Sequence, residues 1–156
     1  MWKKLRPYIG FSAAALAVGG LAGLASKDSM AEYANLLQPP LAPPGWVFPA
    51  MWSVLYILMG ISAGIVWKNA HPSDRRSALA MWWIQLAVNA LWTVIYFNLE
   101  WRLFAFFWLL ALLCLVIVMT VQFYKVRPAA GRLNYPYILW LGFAAYLNLA
   151  TWLLNG

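Results

Sequence analysis

The chain has 156 residues, of which 65% are hydrophobic and only 10% are charged, with eleven Lys and Arg against four Asp and Glu. A soluble domain carries about 25% charged residues, so this composition excludes a soluble enzyme and a disordered chain and indicates an integral membrane protein. The net charge of +7 does not indicate nucleic-acid binding, because the basic residues are scattered between apolar stretches. One Cys and one His exclude an intrachain disulfide and a Cys/His metal cluster.

Five apolar stretches approach the roughly 20 residues that a helix needs to cross the hydrocarbon of a bilayer. In chain order they cover residues 7–25, 46–67, 79–98, 103–124 and 137–154, and none contains an acidic residue, a basic residue or His. The connections are short, which favours antiparallel neighbours. The sequence therefore predicts one all-α membrane domain over residues 1–156, an up-down bundle of five transmembrane helices.

The charged residues predict the orientation of this bundle. All but Lys27 and Arg102 of the eleven Lys and Arg residues fall in the N-terminal tail, the second loop and the fourth loop, which share one side. In a bacterial inner membrane this bias predicts a cytoplasmic N-terminus and an external C-terminus. An alternative interpretation of the first segment is a signal peptide cleaved after Gly23-Leu24-Ala25, which leaves four crossings.

Polar and aromatic residues share one face on three predicted helices. On the third helix the residues at helical spacing are Gln85, Asn89, Trp92 and Tyr96. On the second helix they are Pro49, Trp52, Tyr56, Gly60 and Gly64, and on the fifth they are Tyr137, Trp140, Ala144, Asn148 and Thr151. Because carboxamides are expensive to expose to lipid, Gln85, Asn89 and Asn148 are expected to point into the bundle. Aromatic planes with a few polar groups between them suit a flat, mostly apolar ligand, and plain helix packing is the alternative.

The eleven tryptophans divide into two predicted groups. Those near helix ends are typical of interfacial anchors: Trp2, Trp46, Trp67, Trp82, Trp83, Trp101 and Trp152. The others lie at least one turn inside the apolar stretches: Trp52, Trp92, Trp108 and Trp140. Only this second group is expected to pack inside the bundle or to contact a ligand.

Small residues recur every four positions on two predicted helices. They are Ala15, Gly19 and Gly23 on the first helix and Gly60 and Gly64 on the second. Such faces allow helices to approach closely, either within the bundle or between protomers.

Groups for conventional catalysis are missing from the predicted helices. All four acidic residues are expected in loops, so a proton- or sodium-coupled transporter lacks its usual intramembrane carboxylate. His71 is predicted to be solvated in a loop, and Cys114 is expected to pack as a small apolar residue in mid-membrane. No catalytic triad and no phosphate-binding loop are present, and no metal site or required cofactor is predicted.

Three ordered blocks resemble the TspO/MBR family, the tryptophan-rich sensory proteins also called translocator proteins or peripheral-type benzodiazepine receptors. The first block is Pro43-Pro44-Gly45-Trp46-Val47-Phe48-Pro49, followed by Trp52, Leu55-Tyr56 and Met59-Gly60. The second is Gln85-Leu86, Asn89 and Trp92, and the third is Tyr135-Pro136-Tyr137, Trp140, Phe143-Ala144 and Leu147-Asn148. The blocks span most of the chain in family order and at family spacing, as in a bacterial-type member.

The resemblance implies a five-helix bundle, commonly a homodimer, whose ligand pocket is closed by the loop at residues 26–45. Family members bind porphyrins and other tetrapyrroles, and also benzodiazepine-type and isoquinoline carboxamide ligands. By position, the ligand contacts would be Tyr33, Phe48, Trp52, Tyr56, Gln85, Asn89, Trp140 and Ala144. The resemblance therefore implies that a porphyrin similar to protoporphyrin IX is a ligand of the protein rather than a required cofactor.

The resemblance leaves three functions open. The first is a membrane receptor or carrier for tetrapyrroles, acting in sensing, transport or stress regulation. The second is light-dependent porphyrin degradation, in which Trp52 and Trp140 match tryptophans implicated in some bacterial relatives. The third is a structural partner subunit that uses its helix faces only for packing.

The chain also departs from the family pattern. The first loop reads Glu32-Tyr33, Gln38-Pro39 and Leu41 where the family usually has Trp-Tyr, Lys-Pro and Trp, so the lid is expected to close differently. Residues 147–152 lack the Tyr and the basic residue of the animal sterol motif, so cholesterol binding there is not expected.

Overall fold

Helices account for all the regular structure of the computed structural model, which describes residues 1–156. Five helices are long: Trp2–Ala25 (α1), Val47–Asn69 (α3), Pro72–Thr93 (α4), Arg102–Val126 (α5) and Tyr135–Asn155 (α7). Two are short: Lys27–Tyr33 (α2) and Pro128–Arg132 (α6). A π-helical turn, Val94–Asn98, continues α4.

Five segments are long and apolar enough to cross a membrane, one for each long helix. They confirm the predicted all-α membrane protein with five crossings. The helices extend beyond the predicted apolar stretches because charged residues are readily accommodated at helix ends. Thus α4 begins at Pro72, a favourable first position, and its first turn contains Asp74, which complements the helix dipole.

This extension corrects the prediction that all acidic residues lie in loops. Asp74 belongs to α4, and Asp28 and Glu32 belong to α2, inside the segment predicted as a lid loop. Glu100 is the one acidic residue that lies between helices, with a left-handed φ of 57°.

The small residues are used inside the bundle, where α1 packs closely against α3. A Cβ atom on Gly60 would overlap the backbone of Ser12, and one on Gly19 would overlap the ring of Tyr56. Ser12 also donates a hydrogen bond from its hydroxyl to the carbonyl of Ile57, at 3.2 Å. The glycines therefore set the distance between the two helices.

Side chains of α3, α4, α5 and α7 form the core. Its largest fully buried members include Leu55, Met59, Trp82, Leu86, Leu109, Leu112, Met119, Phe123, Tyr137 and Leu141.

Two residues differ from their predicted places. Trp82, predicted as an interfacial anchor, is completely buried and donates from Nε1 to the Met59 carbonyl at 3.2 Å. Because α4 begins seven residues earlier than predicted, Trp82 lies well inside the helix rather than at its end. Cys114 is exposed on the outer surface of α5, since the buried stripe at Leu109, Leu112 and Val116 occupies another face.

Candidate ligand-binding site

A cavity of about 730 Å³ lies where α1 ends and α3 begins. Its walls come from the second half of α1, the segment around α2, the first half of α3, the end of α4 and the middle of α7. None of its 24 lining residues is charged. The cavity is therefore an uncharged space within the end of the bundle, and aromatic side chains form a third of its lining.

Most of the predicted contact residues lie on the cavity wall. They are Tyr33, Phe48, Trp52, Tyr56, Trp140 and Ala144. Gln85 and Asn89 do not line the cavity, although both are buried in the bundle as their carboxamides predicted.

A chain of buried hydrogen bonds explains where these two carboxamides lie. The Tyr56 hydroxyl donates to Asn89 Oδ1 at 3.2 Å, and Asn89 Nδ2 donates to the Tyr137 hydroxyl oxygen at 2.6 Å. The Tyr137 hydroxyl in turn donates to Gln85 Oε1 at 2.8 Å. Gln85 and Asn89 thus lie one layer behind the cavity. They orient Tyr56, which lines the cavity, because a buried network of hydrogen bonds is rigid when its members are paired.

The wall formed by α3 and α7 is aromatic. Trp52 stacks on Tyr56, with ring centroids 5.7 Å apart and planes at 27°. Trp140 meets Trp52 edge to face at 6.3 Å and Phe48 at 6.0 Å. The Trp140 indole nitrogen is buried and has no hydrogen-bond partner within the protein, so a donor remains for a ligand acceptor.

The wall formed by α4 is also aromatic, and sequence reasoning identified it only in part. Trp92 stacks on Tyr96 at 5.2 Å, and Tyr33 from α2 meets Tyr96 edge to face at 5.6 Å. Trp92 and Tyr96 belong to the predicted stripe, but Phe97 does not. The π-helical turn brings both Tyr96 and Phe97 to the cavity, and π turns frequently occur at functional sites.

The contribution of α1 was missed. Its cavity residues are Leu16, Gly19, Gly20 and Gly23. A Cβ atom on Gly20 or Gly23 would meet no heavy atom within 4 Å, so the wall is bare backbone with open space at these two positions. The glycine spacing is the available signal, but by itself it indicates only close helix approach, within the bundle or between protomers.

The segment predicted as a lid forms part of the cavity wall and is tied to α7. Asn155 accepts a hydrogen bond from the Leu37 amide and donates one to the Leu37 carbonyl, each at 3.0 Å. The Tyr146 hydroxyl donates to the Pro40 carbonyl at 2.7 Å. Leu41 has a left-handed φ of 70°, which is strained for a branched side chain and fixes a sharp bend.

Comparison with known proteins gives one consistent family. A sequence model described as the TspO/MBR family matches residues 11–153. The chain is 42% identical over 127 residues to Protein CrtK of Rhodobacter capsulatus, covering 80% of this chain and 79% of that protein. It is 36% identical over 143 residues to Tryptophan-rich protein TspO of Archaeoglobus fulgidus, covering 91% and 92%. It is 35% identical over 127 residues to Translocator protein of Homo sapiens, covering 80% and 75%.

Proposed function

Because this chain belongs to the TspO/MBR family and is a multi-pass membrane protein, we propose that it is a membrane receptor or carrier for porphyrins and related tetrapyrroles. The bound molecule occupies the cavity between α1, α3, α4 and α7. Flat apolar carboxamides of the benzodiazepine-site type belong to the same ligand class. The function is tetrapyrrole sensing, transport or stress regulation.

The observation that carries this proposal is the chemistry of the cavity wall. Two aromatic walls, one built on Trp52 and Trp140 and one on Trp92 and Tyr96, offer stacking surfaces to a flat ring system. Aromatic pairs contribute roughly 0.5–1.5 kcal/mol each beyond their buried area. The volume of about 730 Å³ lies within the range of small-molecule sites, about 300–1,000 Å³.

The direct test is binding of protoporphyrin IX to the purified protein, measured by the quenching of tryptophan fluorescence. Trp140→Ala is expected to weaken binding, because it removes a ring that is 8% exposed and lies on the cavity wall. The matched control is Trp2→Ala, which removes a ring that is 64% exposed at the far end of α1. Equal affinities of the two variants and the wild type would contradict the site, and failure of the wild type to bind would contradict the function.

A second candidate function is light-dependent oxidation of the bound porphyrin by dioxygen. It is favoured by the close approach of Trp52 and Trp140, whose ring centroids are 6.3 Å apart on one wall. Illumination in air separates the two functions. A discrete product that Trp52→Phe and Trp140→Phe abolish indicates the reaction, whereas bleaching identical to that of protein-free porphyrin indicates a receptor alone.

The same proposal includes the orientation and assembly of the chain. The positive-inside bias places the N-terminus in the cytoplasm and the cavity end of the bundle on the external side. The homodimer implied by the resemblance uses surfaces other than Gly60 and Gly64, because α1 of the same chain covers both glycines.

A further inference from the structure

The cavity lining is uncharged, yet one cation lies directly behind it. Arg102, the first residue of α5, has a side chain that is only 12% exposed. Its guanidinium carbon lies 5.8 Å from the ring centroid of Tyr96, which lines the cavity. Asn148, also a lining residue, donates from Nδ2 to the Arg102 carbonyl at 2.8 Å, which ties this part of the wall to the start of α5.

One donor of the largely buried Arg102 guanidinium has no acceptor within the protein. Its Nε atom is buried and has no hydrogen-bond partner within the protein. The carboxylate of Glu100 lies 4.0 Å from Nη2, beyond hydrogen-bond distance, and that side chain is 57% exposed. Since leaving a buried donor of a charged group without an acceptor is costly, Nε is available to an acceptor from outside the chain.

Arg102 differs in its burial from the other charged residues at the same end of the bundle. Lys27, Asp28 and Glu32 are exposed on α2, and Glu100 is exposed between helices. Water satisfies charges of that kind at little cost. Only Arg102 combines burial with a position against the cavity wall.

We propose that Arg102 recognises an acidic group of the cavity ligand, so that the protein selects planar ligands that carry a carboxylate. The carboxylate lies at the part of the wall formed by Tyr96 and Asn148, with the guanidinium as its counter-charge. This inference rests on the proposed function, because porphyrins with propionate side chains combine a flat ring with such groups. Glu100 competes for the same cation and weakens the interaction.

The experiment compares protoporphyrin IX with its dimethyl ester, which keeps the ring and removes both carboxylates. Arg102→Gln removes the counter-charge behind the Tyr96 wall and should weaken binding of the free acid by about tenfold or more. Binding of the ester should not change. Glu100→Gln should tighten binding of the acid, because it releases Arg102 from its nearest carboxylate.

Two further variants complete the series. Arg102→Lys keeps the charge and should retain part of the preference for the acid. Lys27→Gln removes the exposed cation at the same end of the bundle and should leave both affinities unchanged.

Several results would overturn the inference. Equal weakening of acid and ester by Arg102→Gln would show that Arg102 only supports the fold. An unchanged acid affinity would show that it does not face the ligand. Loss of the acid preference when phosphatidylglycerol is added to the micelles would assign Arg102 to a lipid headgroup.

The results that would contradict the proposed function differ from those that would contradict the role of Arg102. If the wild type binds neither acid nor ester, the porphyrin site itself is absent. If it binds both and no Arg102 variant separates them, the receptor stands and the role of Arg102 is rejected.

Discussion

At the residue scale, the cavity depends on side chains that do not reach it. Asn89 accepts a hydrogen bond from Tyr56 and donates one to Tyr137, so it links α4 with α3 and α7. Without Asn89 the Tyr56 hydroxyl loses its hydrogen-bond acceptor in the interior of the bundle. The orientation of a cavity-lining ring therefore depends on an amide one layer behind the wall.

Asn89→Ala is expected to lower both stability and ligand affinity. Interhelical hydrogen bonds in membranes contribute about 0.6 kcal/mol each, so losing two should cost about 1 kcal/mol of unfolding free energy. Thermal unfolding in detergent and fluorescence quenching by protoporphyrin IX measure the two effects. Asn35→Ala, which changes an exposed asparagine, serves as the control. A variant that unfolds and binds like this control would show that the network is dispensable.

Sequence periodicity predicted which face these residues occupy but not how far they reach. Gln85, Asn89 and Asn148 all point inward, as the cost of exposing a carboxamide to lipid requires. Only Asn148 lines the cavity, because the hydrogen-bonded hydroxyls of Tyr56 and Tyr137 hold the other two amides behind the wall. How far a side chain lies behind the cavity wall depends on the sizes of its neighbours in the bundle. The helical repeat of one segment carries no information on those sizes.

At the scale of elements, glycine positions decide how α1 joins the bundle. Gly60 faces the backbone of Ser12, and backbone atoms cannot move aside as a flexible side chain can. Gly10 lies on α1 with open space around its Cβ position. The same substitution is therefore expected to have opposite effects on stability at the two glycines.

Gly60→Ala is expected to destabilise the protein by about 1–3 kcal/mol, the usual cost of overpacking. Gly10→Ala is expected to stabilise it by up to about 1 kcal/mol, because alanine has a much higher helix propensity. Thermal unfolding of the two single variants in the same detergent provides the comparison. Changes of equal sign and size would refute the close contact between α1 and α3.

The limits of sequence-based prediction at this scale appear in α4. Hydropathy marked the apolar part from residue 79, whereas the helix begins at Pro72 and buries Trp82. Hydropathy also carries no information on the change to π-helical hydrogen bonding at Val94–Asn98. That turn directs both Tyr96 and Phe97 to the cavity, and for this reason the helical repeat predicted Tyr96 but not Phe97.

At the scale of the whole molecule, most basic residues and the cavity lie at opposite ends of the bundle. One end carries every basic residue except Lys27 and Arg102, and there Arg127 donates to Asn69 at 3.1 Å. The other end contains the cavity, part of whose wall comes from the segment around α2. The positive-inside rule predicts that this end faces away from the cytoplasm.

Cysteine labelling of cells that express the protein in a bacterial inner membrane tests this orientation. Cys114→Ser first removes the native thiol, which is exposed on α5. In that background, Asn35→Cys lies in the segment over the cavity and His71→Cys lies at the opposite end, both at exposed positions. A membrane-impermeant maleimide applied once the outer membrane is opened should label Asn35→Cys, and should label His71→Cys only after the inner membrane is broken. The reverse pattern would place the cavity on the cytoplasmic side, and a porphyrin would then reach the receptor from within the cell.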